Sequence, residues 1–139
     1  MRVPEWAFVA LGSNLGDRAG YLAQARAALE ALPETSVIAA SSVEETAPLG
    51  PIPQPAYLNQ MVLLHTSLTA RSLLAACQAI ERRAGRVRGA RWGPRTLDLD
   101  IVRMGEQQVD EPGLHLPHPE LPRRDFWQRE LAELLPHVR

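Results

Sequence analysis

The chain has 139 residues, 45% of them hydrophobic, with a formal net charge of -1. That is one domain's worth of sequence with enough apolar material for a core, and it excludes a disordered chain. No apolar run approaches the roughly 20 residues of a membrane span, the small net charge gives no global attraction to nucleic acid, and all 15 basic residues are arginine, which removes the lysine that a P-loop or a Schiff-base enzyme requires.

The first residues, Met1-Arg2-Val3-Pro4-Glu5-Trp6, carry no apolar secretory segment. The one cysteine, Cys77, falls in an apolar helical pattern with Leu73, Leu74, Ala76 and Ile80 and reads as a buried small side chain. Together these lead to the expectation of a cytoplasmic protein. Trp6 to Leu11 is an apolar run bounded by Gly12, a buried strand. Residues 12–17 read as a strand-to-helix loop, with Asp17 capping a helix from Arg18 to Leu32. Leu22, Ala25, Ala28, Leu29 and Leu32 share one face of that helix, and Pro33 ends it. Val37 to Val43 is a second strand. Residues 46–55 hold Pro48, Pro51, Pro53 and Pro55 and form a stiff, irregular loop. Leu58 to Thr66 is a third strand, placed to pair antiparallel with the second. Thr69 caps a second helix from Ala70 to Arg83. Residues 85–89 break the helical pattern and open an Arg/Gly loop, and Thr96 to Arg103 is a fourth strand. His115 to Pro119 is extended, and Arg124 to Leu135 is a last amphipathic helix with Phe126, Trp127, Leu131 and Leu134. The order is that of the ferredoxin-like βαββαβ fold, an α/β (α+β) class with a four-stranded antiparallel sheet and both helices on one face. The other face is left for loops and ligand, the C-terminal helix is an appendix, and residues 1–139 form one domain.

The chemistry concentrates between Arg82 and Val102. On a strand, side chains two apart share a face, so Leu97, Leu99 and Ile101 point into a core while Asp98 and Asp100 point together to the other side. Two carboxylates held that close call for a cation between them or a proton on one. Hard oxygen ligands suit Mg²⁺, above all Mg²⁺ that also holds phosphates. The plain alternative is two solvated carboxylates, but Asp is a poor strand former and two in one short strand need a reason. Upstream lie Arg82, Arg83, Arg86, Arg88, Arg91 and Arg95, natural partners of phosphate oxygens. Asn59 offers a donor and an acceptor to the edge of a planar heterocycle, and Tyr57, Trp92 and Phe126 are candidate stacking walls. His118, held between two prolines, is a candidate phosphate contact. His65, His115 and His137 show no zinc spacing. Three readings stay open on the residues alone: a Mg²⁺-dependent transferase of phosphoryl groups, an RNA-binding module using the arginine loop, and a Mg²⁺-dependent nucleotidyltransferase. The last expects Gly-Ser close before Asp-x-Asp, whereas here position 98 lies 85 residues after position 13.

The run Arg91-Trp92-Gly93-Pro94-Arg95-Thr96-Leu97-Asp98-Leu99-Asp100 resembles the 6-hydroxymethyl-7,8-dihydropterin pyrophosphokinase family of folate biosynthesis. So do Ala10 to Gly16, Thr46 to Gly50, Tyr57-Leu58-Asn59, Gly85 to Arg88 and Leu116 to Pro119, in order along nearly the whole chain. The resemblance implies transfer of the β,γ-diphosphate of ATP to the pterin hydroxymethyl oxygen, with release of AMP. It implies two Mg²⁺ ions on Asp98 and Asp100, with Arg86 and Arg95 as catalytic, charge-stabilising arginines. It assigns to ATP Gln78, Glu81, Arg88, Arg91, Trp92, Arg95, Ile101, Leu114, His118 and Arg124. It assigns to the pterin Thr46, Ala47, Leu49, Tyr57, Asn59, Trp92 and Phe126. Partners would be these small molecules, with no nucleic acid and no membrane, and the chain would be a monomer. The sequence departs from the family pattern in a loop one residue shorter between Arg88 and Arg91, in Gly113 where an arginine is expected, and in Ala47 where a proline is expected.

Overall fold

The computed structural model describes residues 2–48, 50–85 and 96–139. Strand β1 (Glu5–Ser13) leads to helix α1 (Arg18–Glu30), then β2 (Thr35–Ala40), β3 (Glu44–Thr46), β4 (Tyr57–Thr66) and helix α2 (Ala70–Arg83). After these come β5 (Asp98–Met104), a hairpin of β6 (Val109–Glu111) and β7 (Leu114–Leu116), and helix α3 (Asp125–Leu134). The main sheet runs β2-β4-β1-β5 with β3 added beside β4, and every pairing is antiparallel.

The helices start where the sequence places them. Asp17 accepts from Gly20 N–H at 3.0 Å, and Thr69 Oγ1 accepts from Ser72 N–H at 3.0 Å. Both caps satisfy first-turn amides that have no partner within the helix. One face of the sheet carries Ala7, Val9, Leu11, Val62, Leu64, Leu99 and Ile101, and packs on Leu22, Ala25 and Leu29 of α1 and Leu73, Cys77 and Ile80 of α2.

Three expectations need correction. Gly12 and Ser13 belong to β1 and not to a loop; nine ladder partners on β4 keep the strand extended through them. The second strand ends at Ala40, and the Glu44-Glu45 region forms a strand of its own against β4, so the main sheet has five strands and not four. The second sheet face is only partly free. Helix α3 covers it, packing Trp127 and Leu134 against Phe8, Ala10, Met61, Leu63 and Val102. An apolar stripe on a terminal helix has to bury itself somewhere, and the alternate residues of β1, β4 and β5 supply the surface. Asp98 and Asp100, on the same face, stay half-buried among the described residues.

Candidate active site

The end of the sheet that carries Asp98 is organised by strand register. In the ladder Gly12 stands opposite Asn59 on one side and Asp98 on the other; Ala10 likewise stands between Met61 and Asp100. Directly paired residues point to the same face. Asn59, Gly12 and Asp98 therefore form one row across three strands, about 10 Å from end to end at the spacing of neighbouring strands. The middle of the row has no side chain. A Cβ on Gly12 would lie 3.3 Å from Tyr57 Cδ1 and 3.4 Å from Asn59 Oδ1. Glycine inside a strand marks such a close approach, and here it lets the Tyr57 and Asn59 side chains lie over the floor.

At one end of the row is a polar cluster on β3 and β4. Asn59 is buried, and its Nδ2 donates to Thr46 Oγ1 at 2.6 Å. Thr46 is the ladder partner of Tyr57. Phe126, partly buried, leads into α3 with its ring 6.3 Å from that of Trp127 at an interplanar angle of 69°. Leu58 turns to the opposite core, as the alternation requires. Ala47 is exposed beside this cluster.

At the other end are the carboxylates. Leu97, Leu99 and Ile101 are buried on the helical side, while Asp98 and Asp100 are half-buried on the other. Between the two aspartates, the Leu99 N–H donates to Glu81 Oε2 of α2 at 2.8 Å. Glu81 is buried, so it anchors the backbone that carries the pair. His118 accepts from the Glu120 N–H at Nδ1, 3.0 Å away, which leaves the ring proton on Nε2. That Nε2 faces Asp100 Oδ1 at 3.6 Å. A cleft of about 210 Å³ opens beside β5, lined by Leu74, Asp100, Ile101, Leu114, His115 and His118. Three residues assigned to ATP by resemblance, Ile101, Leu114 and His118, thus meet Asp100 in one cleft. Gly113 also borders it, with φ at +76°; the tight β6–β7 turn needs that left-handed conformation, which explains why no arginine stands there. Gln78 is exposed on α2. Arg124 lies over the Trp127 ring at 4.3 Å, and its Nε is buried without a hydrogen-bond partner among the described residues.

The donor set fits a hard cation. Asp98 and Asp100 offer oxygens only, and no group of three or more His, Cys, Asp or Glu side chains gathers among the described residues. A site with two carboxylates and open positions is what Mg²⁺ takes when waters and phosphates complete its octahedron. Arg86, Arg88, Arg91, Trp92, Arg95 and Leu49 lie outside the described residues.

The model of the family described as 7,8-dihydro-6-hydroxymethylpterin-pyrophosphokinase (HPPK) matches residues 8–136. The chain belongs to this family. Among curated HPPK relatives, the 2-amino-4-hydroxy-6-hydroxymethyldihydropteridine pyrophosphokinase of Pseudomonas aeruginosa is 48% identical over 132 residues, covering 95% of this chain and 82% of the relative. The proteins of the same name from Bacillus subtilis and Methylorubrum extorquens are 43% and 42% identical over 132 residues, covering 79% and 84% of those relatives. Against the HPPK assignment, two contributors to the site escaped the sequence reading. Trp127 carries contacts to His118, Arg124 and Phe126, but the sequence alone shows it only as one member of an apolar stripe. Gly12 had a signal, since a glycine following a strand pattern also fits a strand interior approached by a side chain.

Proposed function

We propose that the row Asn59–Gly12–Asp98 is the reaction floor of a pyrophosphokinase, with the pterin at its Asn59 end and the triphosphate at its Asp98 end. The enzyme transfers diphosphate from ATP to 6-hydroxymethyl-7,8-dihydropterin, giving the pterin diphosphate and AMP in folate biosynthesis. The RNA-binding and nucleotidyltransferase alternatives are set aside. The observation that carries the placement is the meeting of the two carboxylates and the Tyr57/Asn59 pair on one sheet face, joined through a residue without a side chain.

In this reading Asn59 and Thr46 bond the edge of the pterin, Ala47 and Leu49 close its rim, and Tyr57, Trp92 and Phe126 hold its faces. The base lies in the cleft of Ile101, Leu114 and His118, with Gln78 and Glu81 on the α2 side. Arg88, Arg91 and Arg124 meet phosphates, and the unpartnered Nε of Arg124 supports that role. Asp98 and Asp100 would hold two Mg²⁺ ions, whose chemistry when bound is to neutralise phosphate oxygens and acidify the attacking hydroxyl. Arg86 and Arg95 stabilise the charge that develops as AMP leaves. His118, its proton fixed on Nε2, donates toward Asp100 and the phosphates and does not act as a base. The order β2-β4-β1-β5 with α1 and α2 on one face supports the ferredoxin-like reading of the sheet. No helix among the described residues is long and apolar enough to cross a membrane; a cytoplasmic monomer is the accompanying proposal.

The test is product analysis with ATP, Mg²⁺ and the pterin. AMP release that needs the pterin, stops with a chelator and is lost in Asp98→Asn is expected. Wild-type turnover in Asp98→Asn would overturn the metal assignment.

A further inference from the structure

Helix α3 buries three side chains against the sheet side, Trp127, Glu130 and Leu134. The middle one is a carboxylic acid. Glu130 is 0% exposed, and neither of its carboxyl oxygens has a hydrogen-bond partner among the described residues. A bare carboxylate in such a place is costly, and a neutral acid is far less so. The charged groups around it offer little relief. Arg129, next in the chain, is engaged with Glu44 Oε2 of β3 at 2.8 Å. Glu133 accepts from Ser42, from the backbone N–H at 3.0 Å and from the hydroxyl at 2.8 Å. Glu44 and Glu133 both repel a charge on Glu130. From β1, β4 and β5 the neighbours of the α3 stripe are Phe8, Ala10, Met61, Leu63 and Val102, none of which titrates. Burial first, and then Glu44, push the Glu130 carboxyl up to about 8.

Its position lies between the two segments that carry residues read as pterin contacts. Phe126 lies one helical turn before Glu130, and Glu44 lies two residues before Thr46 on the strand paired with Tyr57. The Glu44–Arg129 and Ser42–Glu133 contacts strap α3 to this segment, with Glu130 beneath the strap.

We infer that Glu130 is a positioning residue of the pterin pocket: as a neutral acid it lets α3, which carries Phe126, stay strapped to β3, which carries Thr46, and on ionising it pushes α3 from β3 and shifts these two residues apart. The inference rests on the reading of Phe126 and Thr46 as pterin walls. The apparent affinity of a pocket scales with the fraction of molecules that hold it formed. KM for the pterin therefore rises about tenfold from pH 7 to pH 9, with kcat at saturation little changed.

The experiment measures KM and kcat for the pterin from pH 6 to 9 in the wild type, Glu130→Gln and Glu130→Leu, alongside amide-exchange protection of α3 without substrate. Titration of the substrates is common to all three proteins and cancels in their ratios. The expected result is a wild-type KM that climbs as pH rises toward 8 and levels off above it, relative to either variant, with loss of α3 protection in the wild type alone; one folded variant suffices. The same climb in the variants, or a pH effect confined to kcat, overturns the inference. Constant α3 protection in the wild type also overturns it. Loss of protection in the wild type with a flat KM locates the failure in the placement of Phe126 at the pterin pocket.

Discussion

Replacing Glu130 by glutamine removes an ionisable proton while nearly keeping the side-chain shape, and its effect on stability can be worked out. In the folded protein the acid holds its proton up to about pH 8; in the unfolded chain it releases it near 4.5. Between these values the folded state binds the extra proton, so unfolding free energy falls as pH rises, by about 1.4 kcal/mol per pH unit. The contribution is complete below pH 4.5, is lost through the window and is gone above pH 8. Across this interval the loss approaches about 5 kcal/mol, comparable to a third or more of the stability of an ordinary domain. Local release of α3 sets a ceiling, because the charge escapes as soon as the helix end lifts. Urea unfolding of wild type and Glu130→Gln at pH 5, 7 and 8.5 provides the assay. The stability difference between the two should move by about 3 kcal/mol or more in favour of glutamine from pH 5 to 8.5, and early release of α3 would show as a lower wild-type m-value at pH 8.5. Parallel pH profiles within about 0.5 kcal/mol, with equal m-values, would refute the reasoning.

Glu81→Ala strands the Leu99 amide between the two aspartates; it should cost about 1–3 kcal/mol of stability and raise the Mg²⁺ concentration for half-maximal turnover roughly tenfold or more. A Mg²⁺ titration of activity that superimposes on the wild type would count against the anchoring role. Gly12→Ala puts a methyl against Tyr57 and Asn59; KM for the pterin should rise about fivefold with a smaller change in kcat, and unchanged steady-state constants would mean the floor has room to spare. Burial, aided by Glu81 and Asp100, pushes the Cys77 thiol up to about 12. Iodoacetamide at pH 8 should therefore leave the folded protein unlabelled by mass spectrometry and label it once in urea.

The sequence revealed the parts of the site that depend on alternation and on local caps. The Asp98/Asp100 pair, the opposite orientation of Leu58 to Tyr57 and Asn59, and the caps at Asp17 and Thr69 all follow from a period or from a side chain reaching its own helix. Long-range packing was harder to read. That α3 returns to cover the second sheet face depends on Phe8, Ala10, Met61, Leu63 and Val102, which lie on three strands far apart in the chain. The same separation hid Trp127 as the hub between His118 and Arg124, and hid the burial of Glu130, whose neighbours in sequence, Arg129 and Glu133, are exposed. The local composition of Gly12-Ser13 favours a turn, and cross-strand pairing overrides that preference.

The single register that places Asn59, Gly12 and Asp98 in line also ties catalysis to correct folding. A slip of β1 by one residue would put Leu11 or Ser13 at the centre of the row and exchange the side chains of β1 between its two packed faces, mismatching both cores. A misthreaded sheet would thus lose its core and its substrates together. Occupancy by the pterin and ATP would in turn favour the properly threaded chain over its neighbours, so the substrates themselves proofread the sheet.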